Sequence, residues 1–171
     1  MDATRTSEPI PMKTNPTTVE RTSEREFVVT RSFDAPARLV FEAWTKPELF
    51  KRWWVPKSIG MSLLSCDMDV RTGGTYRLVF DNGAAEPPAF FGKYVEVTPP
   101  SRLVWTNEEG GGQAVTTVTF EEKGGKTLLV LHELHPSKEA LDESIGFGDG
   151  LRETFEQLEE LLVTLGDRWA S

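Results

Sequence analysis

Cysteine is nearly absent: Cys66 stands alone among 171 residues, so no disulfide can close within the chain. That excludes a small disulfide-stapled secreted domain and points to a reducing compartment. The start of the chain shows no secretory signal pattern, which adds to the expectation of a cytoplasmic protein. Long apolar runs are missing too. None approaches the roughly 20 residues that a bilayer-spanning helix needs, so no membrane span is expected. Positive charge is the minority, with 19 Lys and Arg against 27 Asp and Glu and a formal net charge of −8. Such a surface repels phosphate backbones and anionic lipid, which argues against nucleic acid as a partner. What is present, 38% hydrophobic and 27% charged residues, is ordinary for a soluble chain, and the length suits one domain with a sizeable core.

Residues 1–24 are rich in Thr, Ser, Pro and Glu without periodicity, and are expected to be a disordered tail before a domain spanning 25–168. Order is expected from Glu26, where 26–33 reads as a strand by its β-branched and aromatic content. Asp34-Ala35-Pro36 reads as a helix entry with Asp34 as cap, leading to a helix that carries Val40, Phe41 and Trp44 and stops at Thr45. Thr45-Lys46-Pro47-Glu48 reads as a capping box opening a second helix with Leu49, Phe50, Trp53 and Trp54, ended by Val55-Pro56. From 61 to 135 the period switches to two. Strands are expected at 61–69, 75–81, 90–97, 102–107, 114–122 and 126–134, joined by short turns that require antiparallel pairing.

A helical period returns at the end. Phe147, Leu151, Phe155, Leu158, Leu162 and Leu165 form one stripe, with Ser137 as N-cap and Arg152, Glu153, Glu156, Glu159 and Glu160 on a solvated face. Gly146, Gly148 and Gly150 interrupt the stripe, and each glycine costs about 1 kcal/mol relative to alanine in a helix interior. The helix is therefore expected to break, kink or loosen there. The whole reads as α+β.

Seven segments in order carry a family likeness: Phe33-Asp34-Ala35-Pro36, Ala43-Trp44-Thr45-Lys46-Pro47-Glu48, Trp53-Trp54, Asp69-Val70-Arg71-Thr72-Gly73-Gly74, Gly92-Lys93-Tyr94-Val95-Glu96-Val97, Pro100-Ser101-Arg102-Leu103-Val104 and Gly125-Lys126-Thr127. Over roughly residues 26–165 the chain resembles the START-like (SRPBCC) superfamily, and within it the bacterial homologues of the heat-shock-protein-90 ATPase activator's C-terminal domain. The resemblance implies a helix-grip fold: a curved antiparallel sheet of six to seven strands, two short helices, and a long C-terminal helix enclosing a cavity. It implies no single chemistry, since relatives bind lipids, hormones or polyketides and a few catalyse cyclisation or dehydration. Where that family often has Gly-Trp early in the long helix, this chain has Gly146-Phe147.

Strand parity sorts the side chains into two faces. Tyr76, Leu78, Phe80, Phe90, Gly92, Tyr94, Leu103, Trp105, Thr116, Val118, Phe120, Leu129, Leu131 and Glu133 share one face. Arg77, Lys93, Arg102, Thr117, Thr119 and His132 share the other, which their charge marks as outer. The inner set either fills a core or leaves a ligand-sized gap beneath the helix. In the second case the ligand-binding residues are Trp53, Trp54, Tyr76, Leu78, Phe80, Tyr94, Trp105, Phe120, Leu131, Glu133, Phe147, Leu151 and Phe155. Glu133, an inward carboxylate, needs hydrogen bonds or a raised pKa unless it sits at a solvated rim. It then serves as a polar anchor or, alternatively, a general acid.

Metal and cofactor signals are weak. His132-Glu133-Leu134-His135 resembles a zinc motif, but on a strand its histidines point to opposite faces, so no metal site and no cofactor is expected. Asp67 and Asp69 precede a Gly-Gly turn and fit turn chemistry better than a cation site, and Cys66 reads as a buried structural thiol. The outer face also carries Val79, Phe91, Val95, Val104, Leu128 and Val130, from β-propensity alone or as a contact surface for a homodimer or the tail. Three functions follow: binding of a small hydrophobic or amphipathic molecule, a cyclase- or dehydratase-like enzyme using Glu133 and a tyrosine, or a chaperone-associated stress protein. The first ranks highest. The third ranks last because the short tail leaves no room for the activator's additional domain.

Overall fold

Alternation of buried and exposed positions builds the sheet directly. The computed structural model describes residues 17–60, 62–81, 83, 89–108 and 113–170, with backbone alone at 59, 143–149 and 167–170. Its strands are β1 (Thr18–Arg21), β2 (Glu26–Phe33), β3 (Ser62–Met68), β4 (Thr75–Asp81), β5 (Ala89–Thr98), β6 (Arg102–Asn107), β7 (Ala114–Lys123) and β8 (Lys126–Leu134). Between β2 and β3 lie α1 (Ala37–Thr45), α2 (Pro47–Phe50) and a short 3-10 turn at Lys57–Ile59; α3 (Lys138–Ala170) closes the chain. All eight strands of the described residues join one antiparallel sheet in the order β1-β2-β8-β7-β6-β5-β4-β3. The chain leaves β2 at one side, crosses through α1 and α2, and re-enters at the far edge as β3. From there a meander returns strand by strand to β2. This curved, unclosed sheet with its long C-terminal helix is a helix-grip fold.

Eight strands replace the expected six to seven because the stretch expected to be tail contributes one. Thr18–Arg21 pairs antiparallel with Thr30–Phe27 of β2, so order begins by Thr17 rather than at Glu26. Residues 1–16 of the expected tail lie outside the described residues.

The expected caps of the first two helices also need correction. Asp34 does not cap α1: its N-cap is Pro36, which has no side chain able to do so, and the Ala37 N–H donates to Glu122 Oε1 of β7 at 2.9 Å. Nor does Thr45-Lys46-Pro47-Glu48 close a capping box. Thr45 Oγ1 donates back to the Phe41 carbonyl at 2.9 Å, and Lys46 occupies the N-cap of α2 without a side-chain bond. Ser137 does cap α3, accepting the Ala140 N–H at 3.1 Å.

No break appears in α3, which runs as one helix through Gly146, Gly148 and Gly150. A long helix whose flanking turns pack on the sheet absorbs a glycine penalty of this size. Leu151, Phe155, Leu158, Leu162 and Leu165 are buried as the stripe requires, whereas Phe147 lies outside the described side chains. Glu159 is not on a solvated face. It is buried beside Arg31 of β2, N to O 3.6 Å.

The core is aromatic at its centre. Trp44 meets the rings of Phe50, Trp53, Trp54, Trp105, Phe120 and Phe155 at centroid separations from 4.8 to 6.3 Å. On the outer sheet face Phe91, Val95 and Leu128 are exposed, but Val104 is buried between its strand neighbours.

Candidate functional site

The inward residues of β3 to β6 and the α1–α2 turn enclose a cavity of about 40 Å³, lined by Trp44, Phe50, Trp54, Met68, Tyr76, Leu78, Phe90, Tyr94, Trp105 and Asn107. Parity places them there: Tyr76 and Leu78 alternate on β4, Phe90 and Tyr94 on β5, Trp105 and Asn107 on β6. Six lining side chains are buried, while Trp54, Met68, Phe90 and Asn107 are partly exposed and mark the way in. None of the ten is ionisable at neutral pH. Burial pushes the Tyr94 hydroxyl pKa up, with the nearby Cys66 and Asp69 acting in the same direction, so it stays neutral.

Five of the expected ligand-binding residues line this cavity: Trp54, Tyr76, Leu78, Tyr94 and Trp105. Phe80, Phe120 and Leu131 are buried core outside it, as are Leu151 and Phe155 of α3 and Trp53, whose Nε1 donates to the Ala43 carbonyl at 2.9 Å. The cavity therefore sits beneath α1 and α2, with no described α3 side chain on its wall. The reason is packing: Phe155 meets Phe33, Trp44 and Trp53 and fills the space between α3 and the sheet. Phe147 remains outside the described side chains.

Glu133 points inward, as parity requires, and is buried rather than at a solvated rim. Both of its oxygens are engaged. His135 Nε2 lies 2.9 Å from Oε1, and Thr116 Oγ1 donates to Oε2 at 3.2 Å. Asn107 Nδ2 in turn donates to Thr116 Oγ1 at 2.9 Å, and the Tyr76 hydroxyl reaches Asn107 Oδ1 at 3.0 Å and the Thr106 carbonyl at 2.6 Å. A polar seam thus crosses the inner face from β8 to the cavity wall. An amide sits in the middle of it, so it fixes orientation rather than passing protons. His132 faces outward and pairs with Glu26 at 2.7 Å, so the two histidines do diverge.

Trp44, Phe50, Met68, Phe90 and Asn107 line the cavity but were not among the expected binding residues. Asn107 and His135 were within reach of the sequence, since each continues an inward parity series: Leu103, Trp105, Asn107 and Leu129, Leu131, Glu133, His135. Trp44 carried no such signal, because its position depends on how α1 crosses the sheet.

A larger hollow of about 850 Å³ lies along the β3 edge, but it is open to solvent and bordered by Asp67, Asp69, Arg77, Lys93 and Glu108. It is a groove of mixed, hydrated charge and offers no enclosure. Asp69 is committed to its turn, with both oxygens about the Arg71 Nε at 2.9 and 3.0 Å. Cys66 is half-buried rather than fully buried, and its burial raises the thiol pKa to about 11. Among the described residues no group of three or more His, Cys, Asp or Glu converges as metal ligands would, and no helix is long and apolar enough to cross a membrane.

The family described as Activator of Hsp90 ATPase homolog 1-like protein matches residues 34–163. No curated protein matches the chain. Among solved structures, a protein from Nitrosomonas europaea is 28% identical with a TM-score of 0.75, covering 86% of this chain and 99% of its own. One from Rhodobacter sphaeroides, 20% identical, has a TM-score of 0.79 and coverage of 87% and 99%. CalU16 from Micromonospora echinospora is 24% identical with a TM-score of 0.63, covering 86% and 75%. The last two establish a shared fold alone.

Proposed function

The chain belongs to the Activator of Hsp90 ATPase homolog 1-like family, and from that premise we propose that it binds a small apolar or amphipathic molecule in the cavity beneath α1 and α2. The observation that supports the reading most is the composition of the wall: aromatic and aliphatic side chains throughout, with a polar corner at Tyr76 and Asn107. Pockets for small organic molecules have this make-up of apolar lining and few placed polar groups. At about 40 Å³ the cavity is too small for a drug-sized guest, so binding requires the partly exposed Trp54, Met68 and Phe90 to swing outward. Methionine, unbranched and with three rotatable bonds, adapts most readily of the three.

Calorimetric titration with 1-naphthol and with flavone, alongside thermal denaturation, tests the reading. Saturable one-to-one binding is expected, with a rise in Tm equivalent to about 2.7 kcal/mol at a hundredfold excess over Kd. Leu78→Phe, which fills the cavity, should abolish binding without lowering Tm by a comparable amount. Absence of heat and of any Tm rise with both compounds, or binding unaltered in Leu78→Phe, overturns it.

A further inference from the structure

Trp44 and Trp53 are neighbouring buried indoles with opposite fates. They sit 4.8 Å apart between ring centroids, and both are almost wholly inaccessible. The Trp53 N–H has a backbone acceptor, the Ala43 carbonyl, and Trp53 is not on the cavity wall. The Trp44 N–H finds no acceptor among the described residues, and Trp44 is on the wall. A buried donor left unpaired is expensive, and native structures keep few of them. Among the described residues, the orphaned donor coincides with the one indole that is both fully buried and part of the cavity.

We propose that the Trp44 indole N–H is the hydrogen-bond donor for the bound molecule, and that the ligand class is a neutral, ring-bearing compound presenting a carbonyl or hydroxyl oxygen. This rests on the cavity beneath α1 and α2 being the binding site, as proposed above. Neutrality follows from the wall. Among the described residues no Lys, Arg or His lines the cavity, so a carboxylate or phosphate head entering it would lose its hydration without gaining a counter-charge. A ring follows from the surroundings, since the buried Phe50 and Trp105 both lie within 6.3 Å of the Trp44 ring between centroids and stack readily on a flat guest. A plain hydrocarbon would leave the N–H unpaired on binding. A ketone oxygen, which accepts and cannot donate, is the simplest complement.

Acetophenone and α-methylstyrene share one shape and differ in that oxygen, so they separate this proposal from the reading beneath it. Each is titrated into the wild type and into Trp44→Phe, and the ratio of the two Kd values is compared between proteins. The ratio should shift against acetophenone by about tenfold in Trp44→Phe. If both compounds bind both proteins with the same ratio, Trp44 is not the donor although the cavity still binds. If neither binds the wild type, the cavity reading falls and takes this proposal with it.

Trp44 touches six rings, so the variant could lose its fold; proton–nitrogen spectra of the wild type provide an independent readout. The Trp44 indole proton should move downfield with acetophenone and not with α-methylstyrene, while that of Trp53, already bonded to Ala43, stays put. A Trp44 signal unmoved by saturating acetophenone overturns the proposal.

Discussion

Gly92 sets how closely β5 and β6 approach, because a β-carbon there would lie 2.0 Å from the Thr106 carbonyl oxygen. That same carbonyl accepts the Tyr76 hydroxyl at 2.6 Å, so the absent side chain is what lets Tyr76 reach across β5 to β6 at the cavity wall. Backbone cannot yield as a flexible side chain would. Gly92→Ala should therefore cost about 3 kcal/mol or more, at the upper end of the range for overpacking in a core, as read from urea denaturation. A Gly73→Ala control has open space around its β-carbon and pays only for its positive φ of 91°. It should lose less, about 1 to 2 kcal/mol. Equal losses at the two sites would show that the close approach at Gly92 is not what constrains it. Parity in the sequence put residue 92 on the inner face. That the glycine makes room for a neighbouring strand's carbonyl depends on the pairing partner, which no local pattern names.

Between elements, Gln157 does for α3 what no apolar residue could. Its Nε2 donates to the carbonyls of Trp53 and Val55, each at 3.0 Å, and its Oε1 accepts the Lys57 N–H at 2.9 Å. One turn earlier Glu153 accepts both the hydroxyl and the N–H of Ser58. The irregular segment after α2, which carries Trp53 and Trp54, is thus pinned to the closing helix. Gln157→Leu strands three backbone groups, so it should destabilise by about 2 to 4 kcal/mol, while Glu153→Gln, at a more open position, should cost clearly less. Thermal and urea denaturation of both variants checks the order. The sequence revealed the elements themselves well: β3 to β8 lie within a residue or two of the expected strands, because inward and outward residues alternate cleanly in each. β1 was invisible because it lacks an apolar face of its own, three of its four residues being exposed, and is a strand only through its pairing with β2. The α1 cap was invisible for a similar reason, since Glu122 comes from a strand 85 residues away.

At the scale of the whole molecule, sheet and helix meet across a buried charged pair. Arg31 continues the inward series Phe27, Val29, Arg31, Phe33 on β2, and Glu159 follows Leu151 and Phe155 at helical spacing, so both positions were legible as buried. Glu159 is instead expected on the solvated face of α3, and that expectation hides the pair. The geometry is loose: Arg31 Nη2 stands 3.6 Å from Glu159 Oε1, and Nε, Nη2 and Oε1 make no hydrogen bond. Desolvation therefore wins at Glu159, raising its carboxyl pKa against the pull of Arg31. Removing one partner strands the other, so Arg31→Met alone should cost about 3 to 5 kcal/mol, whereas Arg31→Met with Glu159→Leu should be neutral or stabilising by up to about 4 kcal/mol. The pH dependence follows from the sign of the shift. Between the ordinary carboxyl value of 4.5 and its higher folded value, the native state holds a proton that the unfolded chain has released. Folding stability from this group is then lost as pH rises through that window. The double variant has no such proton to hold, so its advantage over the wild type should widen as pH is raised from about 4.5, measured by urea denaturation at closely spaced pH values. A wild type that gained on the double variant over that range would mean that attraction to Arg31 outweighs desolvation, and that the pair fastens helix to sheet rather than straining the join.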